Sequence, residues 1–85
     1  MEAQIKEYIS HELNTKPEQL SLTNETPLLE TGLLDSLAVL KLVIFVEEQF
    51  GVVVSPDDFI PENFQTVNTI CTFIRTLQQA QGVQR

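Results

Sequence analysis

The sequence predicts one small all-helical domain with three main helices, one short helix and a long first loop. Apolar residues recur at three- and four-residue spacing near both ends of the chain. The central segment between them is bounded by residues that cap helices. The chain also offers a single strand candidate, which has no second strand to pair with. A chain of 85 residues therefore forms one domain, residues 1–85, without room for a deep catalytic cleft.

The first helix is predicted from about Glu2 to Asn14, with His11 on its solvent face. A loop follows from residue 15 to residue 35, interrupted by one helical turn at Pro17 to Leu20. Its leucines indicate that this loop packs onto the helices. The apolar residues of the first helix recur at helical spacing: Ile5, Tyr8, Ile9 and Leu13.

The second helix is predicted to start at Asp35 or Ser36 and to end at Gly51, because these residue types are good caps. A projection at about 100° per residue separates its two faces. The predicted core face holds Val39, Leu42, Val43, Val46 and Phe50. The opposite side holds Leu37, Leu40 and Ile44 beside Lys41, Glu47 and Glu48.

After Gly51, residues 52–54 are predicted to form an extended link, and Ser55 is predicted to cap a short helix that begins at Pro56. The segment "PENFQT" breaks that helix, and Thr66 caps the last one. The tail "QQAQGVQR" is predicted to fray. The apolar positions of the last helix are Val67, Ile70, Cys71, Ile74 and Leu77.

Composition and charge exclude several classes of partner. The formal charge of −7 repels nucleic acid and anionic membrane surfaces, whereas basic protein surfaces are suitable partners. No apolar run is long enough for membrane insertion. The single Cys71 cannot form an internal disulfide, and together with one histidine it cannot build a usual four-ligand zinc site. A reducing, cytoplasmic setting is therefore expected.

The sequence contains no residue pattern typical of an enzyme's catalytic site. Ser36 lacks the G-x-S-x-G frame of a serine hydrolase, and nothing in the sequence places His11 beside it. The carboxylates of Glu47 and Glu48 are adjacent in sequence, so they diverge by about 100° on a helix. Taken alone, the pair Asp35 and Ser36 is either a helix cap or a site where another enzyme attaches a charged group.

The segments "TPLLETGLLDSLAVLKLVIFVEEQFGVVV" and "FQTVNTICTFI" resemble the acyl carrier protein family along nearly the whole chain. The resemblance implies a four-helix carrier-protein bundle in which Ser36 is esterified by 4'-phosphopantetheine. A separate phosphopantetheinyl transferase would take this arm from coenzyme A, and Asp35 would serve transferase recognition or cap the helix. The terminal thiol of the arm would hold a substrate as a thioester.

The resemblance also implies that partner enzymes recognise the helix that starts at Ser36. Leu37 and Ile44 would give apolar contact, and Glu47, Glu48 and Asp35 would meet basic patches. Fatty-acid carriers usually have acids where this chain has Ala38 and Lys41, which weakens the negative face near the arm and puts a fatty-acid synthase partner in doubt. The alternative is that these side chains line a face covered by a neighbouring loop.

We therefore expect a free-standing, monomeric acyl carrier protein that works with a transferase, an acyl ligase and downstream biosynthetic enzymes of a polyketide or mixed pathway. The spacing "GLLDS", the segment "DDFIPENFQT", a start at Met1 and an end soon after the last helix favour this type. An aminoacyl carrier, as in D-alanyl or nonribosomal peptide systems, is the alternative cargo class. An unmodified helical adaptor protein is the alternative of another class.

Overall fold

The computed structural model describes residues 1–12 and 23–82, and it confirms the all-helical prediction. Within these residues there are three α-helices, two short 3₁₀ turns and no strand. The helices are α1 (Glu2–Glu12), α2 (Ser36–Phe50) and α3 (Val67–Gln81), and the turns are Pro56–Asp58 and Pro61–Asn63. The predicted end of the first helix at Asn14 and the predicted turn at Pro17 to Leu20 lie outside the described residues.

The bounds of α2 confirm the caps that the sequence predicts. Asp35 is the N-cap, and its Oδ1 accepts the N–H of Ala38 at 2.8 Å. Gly51 ends the helix with a positive φ of 66°, and its N–H donates to the carbonyl of Glu47 at 3.0 Å. Glycine adopts this left-handed conformation without the steric cost that a Cβ brings. Ser36 is therefore held as the first residue of a well-capped helix.

The core lies where α1, α2 and α3 pack on one another. On α2 the predicted core face is confirmed, although Val39 is only partly buried. Phe73 is a core residue that the spacing did not pick out, and its ring meets Phe64 edge to face with centroids 5.8 Å apart. The fully or nearly fully buried apolar residues of the helices are Ile5, Ile9, Leu42, Val43, Val46, Phe50, Val67, Ile70, Cys71, Phe73 and Ile74.

The described part of the first loop packs onto this core, as predicted. The side chains of Leu28 and Leu34 are buried. Among the backbone hydrogen bonds that hold the loop, the Leu28 N–H donates to the Gln65 carbonyl at 2.7 Å, and the Leu34 N–H donates to the Leu28 carbonyl at 3.0 Å. Because Leu34 directly precedes Asp35, the packed loop fixes the point at which α2 begins.

Residues 52–54 form the predicted extended link, and side chains of two helices hold its backbone. The Glu47 Oε2 accepts the N–H of Val54 at 2.9 Å. The side-chain amide of Gln81 accepts the N–H of Val53 at 2.9 Å and donates to its carbonyl at 2.8 Å. Val52 and Val54 are buried, whereas Val53 is exposed. We call the two bonds between Gln81 and Val53 the Gln81 clamp.

The prediction that the whole tail frays is wrong for its first part. The α3 helix continues to Gln81 and ends at Gly82, which has a φ of 70° and donates its N–H to the Gln78 carbonyl. The Gln81 clamp ties the last turn of the helix to the link, which explains why this polar segment stays helical. Residues 83–85 lie outside the described residues.

The segment between the link and α3 forms two turns where the sequence predicts one short helix. Ser55 caps the first turn as predicted, with its Oγ accepting the N–H of Asp57 at 3.3 Å. The segment "PENFQT" was predicted only to break this element, but it contains the second turn. The Asn63 side chain joins the two turns by donating to the Asp58 carbonyl at 2.9 Å. Together the turns place Phe59 and Ile60 beside the start of α2.

Candidate functional site

Ser36 lies at the N-terminal end of α2 with its side chain exposed. The first N–H groups of a helix have no intrahelical acceptor, and the helix dipole adds partial positive charge at this end. Asp35 takes up one of these donors, the N–H of Ala38. The hydroxyl of Ser36 is therefore open to another enzyme, and a phosphate group esterified to it would lie at a favourable helix end.

An apolar groove of about 500 Å³ opens beside Ser36. The first loop and the start of α2 form one wall, and residues 59–61 together with Phe64 form the other. Its lining residues are Leu29, Gly32, Leu34, Asp35, Ser36, Val39, Phe59, Ile60, Pro61 and Phe64. This volume lies in the range of small-molecule sites in proteins. The groove was not predicted from the sequence. The only sign of it in the sequence is the apolar pair Phe59 and Ile60, which lies between two turns that begin at proline.

Beside Ser36, one face of α2 presents apolar side chains to solvent. Leu37 is 60% exposed, Leu40 45% and Ile44 49%. Together with Lys41 these residues lie within an arc of about 100° around the helix axis, and we call the four residues the α2 stripe. The sequence predicts Leu37, Leu40 and Ile44 on this side of the helix, beside Lys41, Glu47 and Glu48, and the three aliphatic side chains are exposed there.

Lys41 is linked to α1 by a short polar network that the sequence did not indicate. The Lys41 Nζ lies 3.6 Å from the Glu12 Oε2, and the Glu12 Oε1 accepts the hydroxyl of Tyr8 at 3.3 Å. The Tyr8 ring stacks on Phe45 of α2 with centroids 4.3 Å apart. Partial burial and the adjacent Glu12 carboxylate raise the pKa of Tyr8 to about 12. The charge of Lys41 therefore has an intramolecular counterion.

The two acids at the end of α2 have different surroundings. Glu48 is exposed to solvent. Glu47 is only partly exposed, and its carboxylate holds the extended link through the N–H of Val54. The same role was predicted for both acids, because the sequence gives no sign of this hydrogen bond. Glu47 thus has a role in the fold, whereas Glu48 makes no such bond within residues 1–12 and 23–82.

The other candidate reactive residues do not meet Ser36. His11 lines a separate surface pocket between α1 and α2, together with Tyr8 and Phe45. Cys71 is buried in the core, and burial raises the pKa of its thiol. Residues 1–12 and 23–82 contain no cluster of His, Cys, Asp and Glu able to hold a metal ion. No helix in the described part of the chain is long and apolar enough to span a bilayer.

Comparison with known proteins assigns this chain to a family. Residues 3–74 match a family model described as a phosphopantetheine attachment site. A probable acyl carrier protein, PigG of Serratia sp. (strain ATCC 39006), is 31% identical over 61 residues, which cover 72% of this chain and 70% of the relative. The D-alanyl carrier protein of Streptococcus uberis (strain ATCC BAA-854 / 0140J) is 33% identical over 63 residues, which cover 74% and 80%.

Carriers of this kind are not enzymes, and their attached group is phosphopantetheine. They work together with phosphopantetheinyl transferases and biosynthetic enzymes. The match covers most of this chain, including all of α2 and the loop before it. The chain therefore belongs to the acyl carrier protein family, whose members carry their cargo on a phosphopantetheine arm.

Proposed function

We propose that this protein is an acyl carrier protein in which 4'-phosphopantetheine is attached to Ser36 and carries an acyl group for the enzymes of a biosynthetic pathway. The exposed hydroxyl of Ser36 at the start of α2, beside the apolar groove, is the observation that carries the proposal. When attached, the arm supplies a thiol on which the cargo is held as a thioester. Attachment consumes coenzyme A, so the proposed place of action is the cytoplasm.

The backbone at the start of α2 suits a phosphate ester, whereas the neighbouring carboxylate of Asp35 repels it. Asp35 caps the helix through the Ala38 N–H and so keeps the first turn in shape, while the first backbone N–H groups offer partial positive charge to the phosphate. The buried leucines Leu28 and Leu34 fix the loop that leads into the site. The serine thus has a defined position and an open approach, which are the two properties that a transferase requires.

The groove beside Ser36 supports an acyl cargo over a polar one. Its walls are largely leucine, valine, isoleucine and phenylalanine side chains, and they would remove an apolar group from water. Each buried methylene of such a cargo contributes about 0.8 kcal/mol. A charged amino group gains nothing from these walls, because desolvation penalises a charge that has no partner.

The alternative cargo is an amino acid. The similarity to the D-alanyl carrier protein of Streptococcus uberis is as high as the similarity to the probable acyl carrier protein of Serratia, and it supports this second candidate. D-alanine is small, so it does not need the groove. In that case an amino acid ligase, and not an acyl ligase, would load the protein.

Intact mass spectrometry tests the attachment. Incubation with coenzyme A and a broad-specificity phosphopantetheinyl transferase should add the mass of one arm to the wild-type protein and nothing to Ser36→Ala. Ser55→Ala is the matched control, because it removes a hydroxyl from another helical start and should still accept the arm. Failure of the folded wild type to gain mass would overturn the carrier proposal and favour the unmodified adaptor.

Loading experiments then separate the two cargo classes. The arm-bearing protein would be offered, in parallel, a set of purified acyl ligases with fatty or aromatic acids and a D-alanine ligase with D-alanine. The acyl proposal expects a mass gain in the first set and little in the second. A mass gain with D-alanine alone would replace the acyl carrier with an aminoacyl carrier and would leave the attachment at Ser36 intact.

A further inference from the structure

A second groove, of about 550 Å³, lies between α3 and the two 3₁₀ turns. It runs along α3 from Asn68 to Leu77, which is about 14 Å of helix. None of its lining residues belongs to α2 or to the first loop, and it shares only Ile60 with the groove beside Ser36. A molecule seated in the second groove therefore need not cover the hydroxyl of Ser36.

The second groove offers apolar surface to an occupant. Among its lining residues, Ile60 is 44% exposed, Leu77 is half-buried and Phe73 is almost fully buried. The hydroxyl of Thr76 donates to the Thr72 carbonyl at 2.9 Å, so this donor is used within α3 and the methyl group of Thr76 remains for an apolar contact. An apolar side chain that enters the groove is removed from water and gains by burial.

The charged residues that line the second groove are both acidic. They are Asp58 and Glu62, and no lysine, arginine or histidine of residues 1–12 and 23–82 lines it. The Asp58 Oδ2 accepts the N–H of Ser55 at 3.3 Å, which holds this carboxylate in place. Glu62 is exposed to solvent. An occupant with positive charge would therefore meet two carboxylates and no like charge in the groove.

The cation of α3 does not neutralise these two acids. Arg75 is the one charged residue of the helix, and its guanidinium donates to the Glu2 carboxylate of α1 at 2.9 Å. This pair turns Arg75 towards α1, and Arg75 is absent from the lining of the second groove. The groove thus combines an apolar surface with uncompensated negative charge.

We propose, resting on the proposed carrier function, that the second groove anchors a basic amphipathic helix of a partner protein while Ser36 stays open to the enzymes that load and use the arm. Apolar side chains at positions i, i+3 or i+4, and i+7 of such a helix span about 10 Å, which fits the length of the groove. Lysine or arginine side chains beside them meet Asp58 and Glu62. Anchoring keeps the carrier at high effective concentration near the partner.

Fluorescence anisotropy of a labelled peptide tests the proposal on the unmodified protein. The probe is a synthetic peptide of about 18 leucine and lysine residues with the leucines on one helical face. A peptide of the same composition in scrambled order carries the same charge without an apolar face. In about 150 mM NaCl the amphipathic peptide should bind saturably and at least about fivefold more tightly than the scrambled one, because screening weakens attraction by charge alone.

Variants of the groove test where the peptide binds. Glu62→Lys should weaken binding by about fivefold, the scale of an exposed ion pair turned into a repulsion. Glu48→Lys is the matched control, because it makes the same charge change at an exposed acid of α2 and should alter the Kd by less than about twofold. Ile60→Ser should weaken binding by about fivefold through lost apolar burial. Val53→Ser, at an exposed valine outside the groove, should not.

Two further measurements test whether the second groove and Ser36 are independent. Nuclear magnetic resonance of the ¹⁵N-labelled protein should show peptide-induced shifts at the amides of Thr72 and Thr76, and little change at Leu37 and Lys41 of α2. Saturating peptide should change the rate of arm attachment to Ser36 by less than about twofold. Shifts centred on α2, or a blocked attachment, would overturn the anchor at the second groove.

The outcomes also separate this proposal from the carrier function. No saturable binding, equal binding of the scrambled peptide, or equal effects of Glu62→Lys and Glu48→Lys would overturn the anchor, and a protein that still accepts the arm would remain a carrier. A folded protein that binds the peptide in the groove but accepts no arm would retain the binding surface and lose the carrier function. Circular dichroism of each variant shows whether weakened binding reflects a lost fold.

Discussion

Replacement of Glu47 by alanine should destabilise the protein far more than replacement of its neighbour Glu48. The Glu47 Oε2 accepts the N–H of Val54 at 2.9 Å in a part-buried position, and this bond holds the extended link against the end of α2. Without the carboxylate, a partly buried donor loses its acceptor. A hydrogen bond to a charged group and the penalty for an orphaned donor both indicate a loss of about 2 kcal/mol.

Urea denaturation followed by circular dichroism measures this difference. The unfolding free energy of Glu47→Ala should fall by about 2 kcal/mol, and the melting temperature by roughly 10 °C for a domain of this size. Glu47→Gln keeps an acceptor oxygen but loses the charge, so about half of the loss should remain. Glu48→Ala removes the same charge from an exposed position and should change the free energy by less than about 0.5 kcal/mol.

The comparison cancels the effects that the two positions share. Both substitutions change the net charge by one unit and give the same change in helix propensity, because both residues lie in the last turns of α2. Equal unfolding free energies for Glu47→Ala and Glu48→Ala would refute the reasoning. In that case the hydrogen bond to the link contributes nothing, and Glu47 would be available to partner enzymes as the sequence first suggested.

Four further measurements follow from the fold. The pKa of Tyr8 is raised from 10.0 to about 12 in the folded protein. The stability that this group contributes is therefore complete below about pH 10 and is lost as the pH rises towards 12. Tyr8→Phe should flatten the fall in unfolding free energy between those two pH values. Gly51→Ala should cost about 1 kcal/mol by urea denaturation, because its φ of 66° strains any residue with a Cβ, and an unchanged midpoint would contradict this. Gln81→Ala should cost about 1 kcal/mol in the same assay and should speed hydrogen exchange at the Val53 amide, whereas an unchanged exchange rate would show that the clamp does not form in solution. Iodoacetamide should label Cys71 slowly in the folded protein and rapidly in denaturant, since burial both shields the thiol and raises its pKa, and equal rates would place the thiol at the surface.

The elements that the sequence predicts well are those specified by neighbouring residues. Asp35 and Gly51 bound α2 because a carboxylate three residues before an N–H and a glycine after the last turn are local signals. Thr66 starts α3 for the same reason. The alternation of buried and exposed side chains along α2 follows from helix geometry once the bounds are known. These signals need no knowledge of the rest of the chain.

The elements that the sequence does not predict depend on contacts between distant residues. The end of α3 is polar and looks unstable by itself, and it is Gln81 meeting Val53 that supports it. The pair of Glu12 and Lys41 depends on how α1 crosses α2. Flexible polar side chains can reach many partners, so no spacing along the chain identifies the right one.

The candidate site likewise has one part that the sequence predicts and one part that it does not. Ser36 was recognisable because the serine, its acid neighbour and the helix after it are contiguous in sequence. The groove beside Ser36 was not recognisable, because its walls come from the first loop, the start of α2 and the segment 59–64 that follows the helix. The second turn, at Pro61–Asn63, was not predicted at all. Ile60, which lines the groove, is the N-cap residue of this turn.

The Gln81 clamp has a consequence for how copies of this protein meet one another. Three consecutive valines in an extended segment have the composition of a sheet edge, and the middle valine is 69% exposed. The amide of Gln81 donates to and accepts from that residue, as an incoming strand would. One glutamine thus occupies the backbone groups of Val53 through which a second chain could begin to pair.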